Sequence, residues 1–253
     1  MSRFGVDIGG TTIKIGRFDE HNNIIEKKIL ATKPERKFVD IARELAMTII
    51  RMSGGKISEI GIGAPSAVNF SGSGEHTPWK SEITKYFPKV KISVRNDADC
   101  AAWAEYILGA GQGSGSMIML TFGTGIGGGI IWKGKLFDAP CELGHMIVAP
   151  DGAPCTCGQK GCLEAYLNAN AYNKSKNKDE LHKILAGAII SLTRIFGINT
   201  FVLGGGLANL GDKLLNPIRK EVEKNIGEGK TAPKIHLAEI PDAGIIGAML
   251  LSI

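Results

Sequence analysis

The sequence repeats itself. DIGGTTIKIGRF, beginning at Asp7, is answered by FGTGIGGGIIWKG, beginning at Phe122. IGIGAP at Ile60 is answered by VLGGGL at Val202. KISVRNDADCAA at Lys91 is answered by KIHLAEIPDAGIIGA at Lys234, with a short insertion. Any one of these echoes is weak. Three in the same order imply an internal duplication. Two like α/β halves facing each other would bring both glycine turns to one cleft.

Local patterning supports the same division. Residues 3–8, 12–18 and 24–30 read as strands, the last two joined by the polar turn Asp19 to Asn23. Phe38, Ile41, Ala42, Leu45 and Ile49 fall at helical spacing within 35–52, and Gly54-Gly55 closes that helix. Strands follow at 59–64 and 91–95, then an Ala-rich helix at 98–108. The second half repeats the order, with strands at 116–122, 126–133 and from 136, and Lys133-Gly134 as a tight turn. A helix at 180–196, a strand at 200–203, a helix at 210–225, a strand at 234–238 and a helix at 242–250 complete it. Each half is read as β-β-β-α-β-α-β-α, with the helix between the strands at 59–64 and 91–95 supplied by the repeat and not by local patterning. GAGQGSGS, residues 109–116, is the expected linker, dividing a lobe of 1–111 from one of 112–241.

Composition narrows the function classes. The net charge of +5 is spread without a dense basic run, so nucleic acid is not an expected partner, whereas an anionic small molecule suits it. No apolar run approaches the ~18 residues of a membrane span, and no signal-like apolar segment opens the chain. A cytoplasmic location is expected, where disulfides are uncommon.

The glycine turns carry the first chemistry. Asp7-Ile8-Gly9-Gly10-Thr11-Thr12 and Phe122-Gly123-Thr124-Gly125 each follow a strand. Glycine lets a backbone approach a phosphate and turn its N–H groups inward, and threonine hydroxyls add donors. Asp7 at a strand end suits a metal-bound water beside phosphate oxygens. Neither turn fits the G-x-x-x-x-G-K-[ST] pattern. Gly204-Gly205-Gly206 precedes a helix, whose N-terminus also favours anions. The plain alternative for each is a tight hairpin turn. Their equivalent places in a repeat favour the phosphate reading.

Asn96-Asp97-Ala98-Asp99 marks a strand-to-helix junction. Asp97 or Asp99 there is either an N-cap or a general base. Transfer of a phosphoryl group to a hydroxyl needs a base to take the hydroxyl proton, with Asn96 then holding a substrate hydroxyl.

Three of the five cysteines lie in one short window with a histidine: His145, Cys155, Cys157 and Cys162. A disulfide would leave an odd cysteine, and Cys155 and Cys157 are poorly spaced to pair with each other. Three thiolates and one imidazole form a ligand set that suits tetrahedral Zn²⁺, with Gly152, Gly158 and Gly161 letting the loop fold back. Cys100 and Cys141 read as buried small apolar residues. If zinc takes one nitrogen of His145, the other can donate to a sugar hydroxyl, with Glu142 and Glu164 flanking it. The plain alternative for each glutamate is a solvated surface charge.

Taken together, DIGGTTIK, RNDADCAAWAE, LTFGTGIGGGI and CELGH followed by CTCGQKGCLE resemble the sugar kinases of the ROK family (repressors, open reading frames, kinases) across nearly the whole chain. The resemblance implies an actin-like ATPase fold, related to ribonuclease H, of two lobes with a zinc-binding insertion. It implies Mg-ATP in the cleft, a hexose beside it, and a homodimer or other homo-oligomer. By motif, Asp97 is the catalytic base. Asn96, Glu142, His145 and Glu164 contact the sugar. Asp7, Gly9, Gly10, Thr11, Thr12, Gly123, Thr124, Gly125, Gly205 and Gly206 surround ATP and Mg²⁺. His145, Cys155, Cys157 and Cys162 hold zinc. The closing helix, 242–253, packs back on the first lobe. Two segments depart from the family pattern, Pro65-Ser66-Ala67-Val68-Asn69 and His76-Thr77-Pro78-Trp79, both where the hexose would be gripped.

The expected activity is transfer of the γ-phosphoryl group of ATP to a hexose, glucose first, at the 6-hydroxyl. Mannose, fructose and N-acetylmannosamine are the alternative acceptors and polyphosphate the alternative donor. A non-catalytic sugar sensor is a third expectation, disfavoured by Asp7, Asp97 and both glycine turns. A DNA-binding repressor is not expected, since the first strand begins at Arg3.

Overall fold

The computed structural model describes residues 1–32, 36–65, 78–137, 139 and 141–252. Of the two departing segments, residues 66–69 and 76–77 lie outside them. Two compact units are present: Met1–Ala104 with Pro241–Ile253, and Glu105–Ile240.

The first unit opens with β1 (Ser2–Ile8), β2 (Thr12–Phe18) and β3 (Ile24–Ala31), then α1 (Phe38–Ser53), β4 (Ile57–Ala64), α2 (Trp79–Thr84), β5 (Lys91–Asn96) and α3 (Asp97–Leu108). The second contains β6 (Met117–Phe122), β7 (Ile126–Trp132), β8 (Lys135–Leu136), α4 (Leu163–Leu167), α5 (Ala169–Lys174), α6 (Lys178–Phe196), β9 (Thr200–Gly205), α7 (Asp212–Asn225) and β10 (Lys234–Leu237). The chain closes with α8 (Ala243–Leu250), in the first unit.

The duplication is explicit in the sheets. The first runs β3-β2-β1-β4-β5 and the second β8-β7-β6-β9-β10. In both, the first three strands are antiparallel neighbours and the remaining two join in parallel. Phe4, Val6 and Ile8 are buried, and Gly5 between them is buried too, as expected of a strand covered on both faces. On one side α1 presents Ile41, Leu45, Ile49 and Met52 at helical spacing. Gly54 then ends that helix in the left-handed conformation, φ 59°.

On the other side α8 lies against β1 and β4 at backbone distance. A Cβ on Gly5 would stand 2.1 Å from the Ile245 carbonyl oxygen, and one on Gly61 1.8 Å from that of Ala248. Only glycine at these strand positions admits the helix. This packing fixes the ends of β1 and β5, where Asp7 and Asp97 stand.

The differences from the sequence reading are local. Helices α4 and α5 occupy a stretch to which sequence assigns no element, and the strand from 136 is only two residues long. The expected helix from 210 begins at Asp212, after a 3₁₀ turn over Gly206–Leu210. Leu207 anchors that turn in the core.

Candidate active site

In the first unit, the β1–β2 hairpin puts a four-residue turn after Ile8. The N–H of Gly9 donates to the carbonyl of Thr12 at 2.9 Å, and the Thr32 hydroxyl donates to the carbonyl of Gly9 at 2.8 Å. These bonds pin the turn from below and leave Gly10 and Thr11 exposed. Asp7 is half-buried just before it. Burial raises its carboxyl above the ordinary range, and Lys14 across the hairpin opposes that shift, with Nζ 3.6 Å from Oδ2. A Cβ on Gly244, at the start of α8, would lie 2.8 Å from the Asp7 carboxyl carbon, so the helix start leaves that carboxyl its space.

Asp97 opens α3. The cap of that helix is its neighbour: Asn96 Oδ1 accepts from the N–H groups of Ala98 at 2.8 Å and Asp99 at 3.2 Å. Asp97 therefore does not serve as the cap, although its Oδ1 also accepts from Ala98 N–H at 2.9 Å. Burial raises the Asp97 carboxyl above its usual value, and the charge of Asp7 adds to the rise. Two carboxylates that repel each other and resist ionisation make a place that favours a dication. Asp7 thus suits a dication such as Mg²⁺, and its charge is felt at Asp97.

In the second unit, the β6–β7 turn is one residue shorter. Gly123 N–H donates to the Gly125 carbonyl at 2.9 Å, and Ala169 N–H donates to the Gly123 carbonyl at 2.8 Å. Gly123 and Thr124 are exposed. Beside this turn runs the end of β9, paired Phe122 to Gly205. Gly205 has φ 78° and ψ −169°, and a Cβ there would stand 2.3 Å from the Phe122 carbonyl oxygen, so only glycine fits.

The cysteine window folds into a small hairpin bridged at Ile147–Cys162 and Pro154–Lys160. His145 ends a 3₁₀ turn, Leu143–His145, that follows Glu142. One ligand atom from each of His145, Cys155, Cys157 and Cys162 lies within 4.8 Å of the others. Cys157 Sγ to Cys162 Sγ is 3.7 Å, and Cys155 Sγ to His145 Nδ1 is 3.6 Å. Sulfurs at about 2.3 Å from a tetrahedral zinc are separated by about 3.8 Å, whereas a disulfide needs about 2.05 Å. The set fits zinc. Burial and the neighbouring sulfurs push the Cys162 thiol up to about 12, so a dication is what would ionise the set together. With Nδ1 turned to the cysteines, His145 keeps Nε2 for another partner.

Glu164 stands at the start of α4. Its Oε2 accepts from Ile126 N–H at 2.8 Å and its Oε1 from the Thr156 hydroxyl at 3.0 Å. This glutamate is therefore not a solvated surface charge. Of the segment 76–79, Pro78 and Trp79 are described. Trp79 is a core residue, buried edge-on to Phe38 at 4.6 Å between ring centroids. Cys100 is buried and its thiol is raised well above the ordinary value by burial, while Cys141 is half-buried.

Lys14 and Thr156 escaped the sequence reading. Lys14 becomes visible once the hairpin register is known. Thr156 carried the weaker signal of a hydroxyl between two ligand cysteines.

The sequence matches the ROK family model over residues 3–184 and 168–253. It is 30% identical to the glucokinase of Thermotoga maritima over 305 residues, covering 98% of this chain and 96% of the relative. It is 31% identical to the glucokinase of Streptomyces coelicolor over 302 residues, covering 96% and 95%. Both alignments are longer than the 253 residues of this chain, so both relatives carry segments that it lacks. The fold superposes on the crystal structure of a ROK family glucokinase from Streptomyces griseus in complex with glucose and AMPPNP. The TM-score is 0.83 at 29% identity, with 99% of each chain covered. With a family model spanning nearly the whole sequence and a duplicated fold to match, the chain belongs to the ROK family.

Proposed function

We propose that this protein is an ATP-dependent sugar kinase acting on glucose. Likeness to glucokinases over nearly the full chain supports the class. The observation that carries the mechanism is Asp97, a half-buried carboxyl raised above its usual value by burial, released from capping duty by Asn96.

The 6-hydroxyl oxygen of the sugar attacks the γ-phosphorus. The new O–P bond forms as the bond to the bridging oxygen of ADP breaks. The hydroxyl proton passes to the Asp97 carboxylate. In this reading Gly10, Thr11 and Thr12 would take phosphate oxygens and Asp7 the magnesium. Thr124, Gly125, Gly205 and Gly206 would take the nucleotide. Asn96, Glu142, His145 Nε2 and Glu164 would take sugar hydroxyls. Mg²⁺, when bound, neutralises charge on the phosphates. Zinc, when bound, closes the cysteine loop and fixes the His145 tautomer. No helix among the described residues is long and apolar enough to cross a membrane, and we place the protein in the cytoplasm.

The test is ADP release from Mg-ATP across a panel of hexoses, with a no-sugar control, for wild type and Asp97→Asn. Glucose should stimulate release, and the variant should lose about 10²–10⁴-fold in kcat while still binding sugar. Full activity in the variant would remove Asp97 from the mechanism. No stimulation by any sugar with ATP or polyphosphate would remove the kinase reading.

A further inference from the structure

The Glu164 carboxylate is tethered from two sides. Ile126, whose N–H donates to Oε2, is the first residue after the glycine turn. Thr156, whose hydroxyl donates to Oε1, lies between two cysteines of the metal set. The space that Oε2 occupies exists because residue 125 has no side chain, since a Cβ there would stand 2.5 Å from Oε2 and 3.2 Å from Cδ.

A carboxylate offers about four acceptor positions; these tethers take two, and the Cys155 thiol lies 3.9 Å from Oε1. The residue is half-buried, so the others stay accessible. Two bonds, one from a strand distant in sequence and one from the neighbouring loop, hold a flexible side chain in one orientation before any ligand arrives. Binding then costs less ordering.

We propose that Gly125 and Thr156 are positioning residues for hexose recognition, acting through Glu164. The inference rests on the reading above, in which Glu164 takes sugar hydroxyls. It adds a coupling that the motifs do not show. The turn expected to face the nucleotide and the loop expected to hold zinc both set the affinity for sugar.

The experiment is calorimetric titration of glucose into nucleotide-free, zinc-loaded protein, alongside KM for glucose and for ATP. Thr156→Val keeps the side chain's shape and removes its hydroxyl. Its glucose Kd and KM should rise several-fold to about tenfold, less than a full charge-assisted hydrogen bond because Thr156 is exposed and water can replace part of its hydroxyl's role. Its KM for ATP and its zinc content should stay as in wild type. Thr156→Ser should restore glucose binding. Gly125→Ala should weaken glucose by tenfold or more with no nucleotide present, because the new methyl group displaces Oε2 from Ile126 N–H. If wild type binds glucose and both variants bind it equally well, the positioning role is overturned. The same holds if Thr156→Val weakens glucose and ATP alike, or if serine fails to rescue. If wild type binds no hexose in the panel, the kinase reading falls first and this inference with it.

Discussion

Replacing Glu105 by alanine should destabilise the protein by about 4 kcal/mol, although this residue takes no part in the proposed chemistry. Glu105 is fully buried in the last turn of α3. Its Oε1 accepts from the N–H groups of Ile240 at 2.7 Å and Glu239 at 2.9 Å, and its Oε2 accepts from Ala110 N–H at 3.0 Å. A bond to a charged acceptor contributes about 1.5–3 kcal/mol net. Ala110, Glu239 and Ile240 each retain some exposure, so water can replace part of what the carboxylate supplies. The lower end applies, and three such bonds sum to about 4–5 kcal/mol. Domains are stable by only about 5–15 kcal/mol, so this is a large share. Glu105→Gln keeps one carbonyl oxygen for Glu239 and Ile240 but turns an amide donor toward Ala110 N–H. Its loss should be about 2 kcal/mol. The assay is urea unfolding followed by tryptophan fluorescence and far-UV circular dichroism. With m of about 2–3 kcal/mol/M, the alanine variant should lose about 1.5–2 M in midpoint with m unchanged. If the two probes diverge, the comparison is read on the transition of the unit that contains Glu105. An alanine loss below about 1 kcal/mol, or glutamine worse than alanine, would refute the accounting.

Asp97 must be ionised to take a proton, and burial holds its carboxyl above the usual 3.8. The acid limb of kcat/KM for glucose should therefore lie above the ordinary carboxylate range and vanish with Asp97→Asn, as a pH–rate profile reads. The same shift acts on stability. A group with a raised folded pKa stabilises below its unfolded value of 3.8 and loses that contribution as pH rises through the folded value. The Tm of Asp97→Asn should accordingly gain on wild type over that window and then level off, as a melting series in pH reads. Stripping zinc with a chelator should remove one metal per chain and about 4 kcal/mol or more, the stabilisation given by a ligand at a thousand times its Kd. Metal analysis and Tm read both losses. Gly61→Ala brings a methyl group against the Ala248 carbonyl and should cost about 3 kcal/mol, seen as a fall in Tm of about 2–4 °C per kcal/mol.

What the sequence revealed, and what it hid, follows from the range of the interactions involved. The strands of both sheets were legible because most are short runs rich in apolar residues, with β1, β6 and β9 ending at or next to a glycine, a signal contained in a few neighbouring residues. The repeat was legible because duplication copies such signals in order. The cysteine window was legible for the same reason: its chemistry lies in a short loop and one nearby histidine, which the fold brings within 4.8 Å. Helices α4 and α5 were not. They are five and six residues long, too short to show an apolar period. The junction at Asp97 needed coordinates to resolve, because three polar residues within four positions all suit a helix start. Only the bonds from Ala98 and Asp99 place the cap on Asn96.

Glutamates show the limit most plainly. Glu105 and Glu164 each sit in motif-like surroundings, and sequence assigns Glu164 only a direction of function. Their partners lie at Glu239 and Ile240 for the first, and at Ile126 and Thr156 for the second. Such a pairing leaves no periodic trace, because a carboxylate can accept from any backbone N–H that the fold delivers. The glycines record it indirectly. Gly109 would place a Cβ 2.2 Å from Glu105 Oε2, and Gly125 one 2.5 Å from Glu164 Oε2. Each missing side chain is the space in which a buried or tethered carboxylate lies. Such a glycine marks a close approach, by a group near in sequence at Gly109 and by one distant in sequence at Gly125. In this chain it twice marks a glutamate that holds loops together.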